Sequence, residues 1–155
     1  MRKIESKLLL ILISGLVYIN NAVAVPYIDV NLGGNTTDNS MAYSADAGYR
    51  FNQYFGVEGG VTGSGSSNAT QSTFYMFDGA GKATLPLGSN VSVFGKLGIG
   101  NCNSCGSNSN SDIGIFFGGG LEFDVNKNWA IQLQDYTVTG DAPNFIMFGG
   151  EFRFY

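Results

Sequence analysis

No histidine occurs among the 155 residues, and there are only one tryptophan, two cysteines and three prolines. The first absence removes Ser-His-Asp and Cys-His catalysis, and with them the commonest transition-metal ligand. Charge is scarce as well: Asp, Glu, Lys and Arg make up 13% of the chain, about half the ~25% of an ordinary soluble domain. Eight basic and twelve acidic residues leave a net charge of -4, a balance that offers nucleic acid nothing to hold. Helical periodicity is missing beyond the first 24 residues. What the chain has in quantity is glycine, 23 residues, together with 12 phenylalanines and 8 tyrosines. Its length allows one domain at most.

Residues 1–24 read as an export signal. Arg2, Lys3 and Lys7 form a basic start, Leu8 to Val17 an apolar run, and Ala22-Val23-Ala24 a small-x-small cleavage site. A transmembrane helix is the competing reading, but the apolar stretch ends at Ile19 before Asn20 and Asn21, short of the ~20 residues that span a bilayer. Cleavage is expected after Ala24. Residues 25–155 are then the folded domain, with 5 basic and 11 acidic residues once Arg2, Lys3, Lys7 and Glu5 are gone.

From Tyr27 onward, stretches of period two recur between clusters of Gly, Asn, Ser and Asp, which is the pattern of strands and turns. Eight stretches can be counted. In the first, Ile28, Val30 and Leu32 oppose Asp29 and Asn31; in the second, Tyr43 to Phe51 oppose Ser44, Asp46 and Arg50. Later ones set Tyr75 and Phe77 against Asp78 and Lys82, Val93 and Leu97 against Lys96, and Ile146 to Phe154 against Glu151 and Arg153.

Alternation alone does not say which face meets water, because a soluble sandwich or lipocalin-like barrel alternates too. Three features favour a membrane barrel. Ten charges, Asp29, Asp46, Arg50, Glu58, Asp78, Lys82, Lys96, Glu122, Glu151 and Arg153, share one face with Ser, Thr, Gln and Gly. Asp135 alone breaks the parity of a strand, at a bulge or at the membrane rim. The connections alternate between tight turns and longer segments at 33–40, 62–72, 101–111 and 139–144, as in outer-membrane barrels. Aromatics gather at the tight-turn end, where an interfacial girdle belongs. The expected fold is therefore all-β, an eight-stranded antiparallel up-and-down transmembrane β-barrel, since only closure satisfies every backbone amide in lipid. Eight strands leave an interior just wide enough for side chains. Asp46, Arg50, Glu58, Asp78, Lys82, Lys96, Glu122, Glu151 and Arg153 are expected to pair there as a lumen charge network, in a register that strand shear decides.

Gly48 to Gly60 (GYRFNQYFGVEGG), Gly95 to Gly100 (GKLGIG) and the ending GGEFRFY resemble the small outer-membrane β-barrel family, which includes opacity-type surface proteins and the transmembrane domain of outer membrane protein A. The resemblance spans the mature chain. It implies insertion from the periplasm by the barrel assembly machinery, with Phe152 and Phe154 as the recognition signal. Tyr155 adds one residue past that signal, and Gln132 to Tyr136 depart from the family's alternating Arg-Leu-Glu-Tyr.

Other motifs carry less. Gly79 to Thr84 superficially matches a phosphate loop, but Met76 and Ala83 stand where Gly and Ser or Thr are required. Cys102 and Cys105 have redox spacing inside an Asn- and Ser-rich segment and read as a local disulfide of an exported protein. Inward carboxylates such as Glu58 and Glu122 could suggest an acid/base pair, although buried charges in a barrel normally exist because they are paired. No enzyme, metal or cofactor is expected. The expected role is a surface protein with a structural or interaction function, an adhesin or surface antigen, and the alternative is a narrow porin-like pore. Expected partners are outer-membrane lipids and lipopolysaccharide, the assembly machinery, and host or cell-surface molecules met by the loops of a monomer.

Removing Tyr155 is expected to be tolerated, whereas Phe152→Ala combined with Phe154→Ala should leave unassembled, protease-sensitive chain. Heat-modifiable gel migration of outer-membrane fractions measures both outcomes.

Overall fold

A computed structural model describes residues 24–37, 39–65, 74–102, 112–139 and 144–155. The strands are β1 (Val25–Asn35), β2 (Ser40–Arg50), β3 (Phe55–Gly65), β4 (Phe74–Pro86), β5 (Val91–Cys102), β6 (Asp112–Asp124), β7 (Trp129–Val138) and β8 (Asn144–Arg153). Each pairs antiparallel with the next, and β8 closes on β1, so the described residues form an eight-stranded up-and-down barrel. The alternation has its physical cause here: outward side chains are apolar and inward ones polar because the backbone flips its face at every residue.

Register fixes the shape. A path of paired residues runs Val25, Arg50, Gly56, Lys82, Lys96, Gly118, Tyr136, Phe145 and back to β1 at Asn35. Closure thus moves the chain ten residues along β1, from Val25 to Asn35, a stagger that goes with strands tilted by roughly 40°. It also brings Glu151 of β8 beside Asp29 of β1.

The tight turns share one mechanism. Phe51, Leu87 and Val125 each donate a backbone N–H to the carbonyl four residues on, at 2.8 to 2.9 Å. In the first, the Asn52 Oδ1 accepts from the amides of Tyr54 and Phe55; in the third, Asn126 does the same for Asn128 and Trp129. Asparagine serves both because its side chain can replace a backbone acceptor in a turn.

At the other end the strands run further than the sequence pattern suggests. Gly33, Gly34 and Asn35 belong to β1, Ser40 to β2, Thr62 to Gly65 to β3, Asn101 and Cys102 to β5, and Asn144 to β8, although all fall within the expected longer connections. Glycine reads as punctuation but is required at Gly33 by a close approach: a Cβ there would lie 2.0 Å from the Ile146 carbonyl oxygen. No bulge accommodates Asp135 either. The β6–β7 and β7–β8 ladders pass through it unbroken, pairing it with Gly119 and Ile146.

The two glycines on β1 should respond differently. Gly33→Val forces β1 from β8 and should cost roughly 1–3 kcal/mol by overpacking. Gly34→Ala, whose Cβ would meet nothing nearer than 3.8 Å, should be close to neutral. Urea unfolding in lipid vesicles compares them.

Candidate functional site

The inward face divides into three levels. At the tight-turn end, Glu122 of β6 and Glu151 of β8 are buried between three cations. Arg50 Nη2 lies 2.5 Å from Glu122 and 2.8 Å from Glu151, and Lys82 Nζ 3.3 and 2.9 Å from the same two acids. Arg153 completes the cluster through Nη2 to Glu122 at 2.6 Å, Nε to Glu151 at 2.7 Å and Nη1 to Asp124 at 2.6 Å. Gln132 Nε2 donates at 2.7 Å to Glu151 Oε2, the oxygen that Lys82 also meets. Three cations and three acids therefore balance in a region from which water is largely excluded, the condition under which buried ion pairs persist.

A second level lies above it. Lys82 and Lys96 are direct neighbours across β4 and β5, a placement that would repel if both ammonium groups pointed the same way. They diverge instead: Lys96 reaches Glu58 at 2.6 Å while Lys82 descends to Glu122 and Glu151. The Phe94 ring lies against both, 4.6 Å from Lys82 and 5.6 Å from Lys96, a favourable cation–π setting. Tyr27 lies over Gly48, where a Cβ would be 2.2 Å from its ring, and donates its hydroxyl to Glu58 at 2.7 Å. Small residues on the inner face make that crossing possible.

The sequence-derived network is thus resolved into parts. Arg50, Lys82, Glu122, Glu151 and Arg153 come together, and Glu58 with Lys96 forms a separate pair. Asp46 and Asp78 join no ion pair among the described residues; with Asp29 they occupy one row across β1, β2 and β4, interrupted by Gly60 of β3. Asn31 donates to Asp29 at 2.6 Å and Ser44 to Asp46 at 3.2 Å. A cavity of about 10 Å³ remains among Asp46, Glu58, Asp78, Lys96 and Tyr136, room for about one water molecule.

The third level, towards the longer connections, is apolar. Ala42, Phe74, Met76, Phe116, Tyr136, Val138, Phe145 and Met147 form a buried cluster. Phe74 and Phe145 rings lie 5.5 Å apart, Tyr136 and Phe145 5.0 Å. Tyr136 satisfies its hydroxyl by donating to Thr62 at 2.9 Å. Cys102, fully buried in this cluster, is disulfide-bonded, and Cys105 lies outside the described residues. Nothing in the alternation marks this cap, or Asp124, Tyr27 and Gln132 as members of the network, although parity extended from Asp78, Glu122 and Glu151 turns Met76, Phe116 and Met147 inward.

Outside, Phe152 packs against Trp129 at 4.8 Å and Phe154 at 4.9 Å, and Phe154 and Tyr155 are exposed. Among the described residues no three acidic or cysteine side chains are placed to hold a metal ion. What the lumen can do chemically is seal: salt bridges below, aromatic packing above.

A family model for the outer membrane protein beta-barrel domain matches residues 14–142. Among curated proteins no match is found. Similar solved structures include the N-terminal β-barrel domain of Pseudomonas aeruginosa OprF, at TM-score 0.69 and 12% identity over 84% of this chain and 97% of that one. Neisserial surface protein A follows with 0.62 and 16%, covering 87% and 100%. The attachment invasion locus protein Ail of Yersinia pestis gives 0.55 and 20%, again covering 87% and 100%. At these identities the likeness is one of fold.

The levels should differ in sensitivity. Glu151→Leu removes one of the two carboxylates that three cations share, leaving a buried excess of positive charge on Glu122 and Asp124, and should destabilise the barrel by roughly 3–5 kcal/mol. Asp78→Asn removes a buried charge that joins no ion pair among the described residues and should be neutral or stabilising. Denaturant titration of refolded protein, followed by tryptophan fluorescence, separates the two cases.

Proposed function

The chain belongs to the outer membrane protein β-barrel domain family, and from that premise we propose that it is a surface-displayed interaction protein without catalytic activity. The barrel is a sealed anchor in the bacterial outer membrane, and the connections at the apolar-cap end are what neighbours meet. One observation carries this reading: the lumen is filled at every level, by the Glu122–Glu151 cluster, the Glu58–Lys96 pair and the aromatic cap. A conducting protein would need those groups to part.

Export fits the same scheme. Cleavage after Ala24 would leave the first strand whole, because β1 starts at Val25. The assembly machinery would then receive the β8 end with its Phe152 and Phe154.

The chemistry of the partner is bounded by charge. One Ail structure is a complex with the heparin analogue sucrose octasulfate. Here residues 33–40, 62–72, 101–111 and 139–144 contain no Lys or Arg, so a polysulfated ligand is not proposed. Their Asn, Ser, Thr and Gly suit hydrogen bonding to neutral surfaces, such as the sugars of lipopolysaccharide or of a host or neighbouring cell.

Two measurements test this. Cysteine substitutions at Ser66 and Asn144 should react with an impermeant thiol reagent on intact cells, and one at Asn52 should not. Purified barrel in planar bilayers should give no stable conductance; a steady open level would establish the pore instead.

A further inference from the structure

On the outer face of the barrel one side chain contradicts its surroundings. Asp135 is exposed there, between Gly119 of β6 and Ile146 of β8. It lies six residues along β7 from Trp129, about 15 Å above the tight-turn girdle at the tilt of such a barrel, inside an apolar band that is about 25 Å tall. The neighbours agree with that depth. On β6, Phe117, Ile115 and Ile113 continue the exposed apolar face beyond Gly119 towards the longer connections. Asp135 is therefore a carboxylate below the rim, not at it.

Its setting is a notch. Gly119, with no side chain on the outer face, leaves the β6 side open, and a space of about 610 Å³ runs past Asp135, Thr137, Asn144 and Thr36, with Phe117 and Ile146 as apolar walls. Thr137 bonds Asn144, whose carbonyl accepts from the Thr36 amide at 2.8 Å. Polar atoms thus lead from the rim down to the carboxylate.

An ionisable group facing lipid needs a partner, and the barrel does not provide one. Arg50, Lys82, Lys96 and Arg153 are committed to acids inside, and Lys127 lies between β6 and β7 at the tight-turn end. A second copy would present the same cation-free outer face. We propose that the notch seats one membrane lipid bearing a primary ammonium headgroup, which descends beside Thr137 and Asn144 to pair with Asp135 while its chains run on along the exposed apolar face below it, over Leu133, Leu121 and Phe148. An ammonium fits better than a metal ion because the notch holds a single carboxylate, too few anionic ligands for a divalent cation away from phosphate.

The test uses the full barrel in nanodiscs of equal phosphatidylethanolamine and phosphatidylglycerol, released into mild detergent, with retained lipids counted by native mass spectrometry. Wild type should retain phosphatidylethanolamine about threefold over its share, the scale of a partly exposed ion pair. Asp135→Asn and Asp135→Leu should return retention to the bulk ratio. Replacing the lipid by its N-acetyl derivative should do so with unmutated protein, independently of folding. Equal enrichment in wild type and variants, no enrichment in wild type, or enrichment abolished by EDTA would each overturn the proposal, the last in favour of a metal bridge. A basic protein co-purifying through Asp135 in place of lipid would overturn it too.

Discussion

Hydrocarbon offers no hydrogen bond to a peptide group, and this constraint is the one on which the rest of the molecule depends. A strand edge left open in the membrane would leave backbone groups unpaired at several kcal/mol each. Closure of β8 on β1 removes both edges at once. Once the sheet must close with eight strands, tilt and stagger follow, and the inner radius is fixed before any side chain is chosen. Gly33, pressed against the β8 backbone, is one position where that geometry dictates a residue.

Within this radius the interior must be solid, and the chain fills it with two kinds of matter. Charges occupy the levels nearer the tight turns, where Glu122 and Glu151 are shared among three cations rather than paired one to one. Sharing lets each carboxylate oxygen find a donor, which is what makes a buried charge tolerable. Aromatic and sulfur-containing side chains occupy the opposite level, where no cation is available to balance an acid.

Much of this was legible in the sequence, and the reasons it was incomplete are physical. Period-two alternation survives because one face meets lipid and the other polar groups, so strand number, facing and the ten inward charges could be read directly. Pairings could not, because they depend on shear: Lys82 lies beside Lys96 in register yet bonds acids on β6 and β8. The apolar cap is hidden because residues 33–40, 62–72, 101–111 and 139–144, rich in Gly, Ser and Asn, read as connections although the strands run on into them. With Thr62 to Gly65 and Asn144 taken as connections, Tyr136, Phe145 and Met147 had no polar face to belong to. Asp135 stands out in the sequence as an exception to parity, but only the register on both sides shows that it lies on an unbroken ladder.

The aromatic cap has a consequence for how such a chain can change over generations. Phe74, Phe116, Tyr136 and Phe145 sit on strands and close the lumen beneath the connections. Among the described residues the interior is shut by side chains that the strands themselves carry. Substitution, lengthening or shortening of those segments is therefore insulated from the stability of the anchor, and selection can rewrite the exposed end of the molecule while its foundation stays the same.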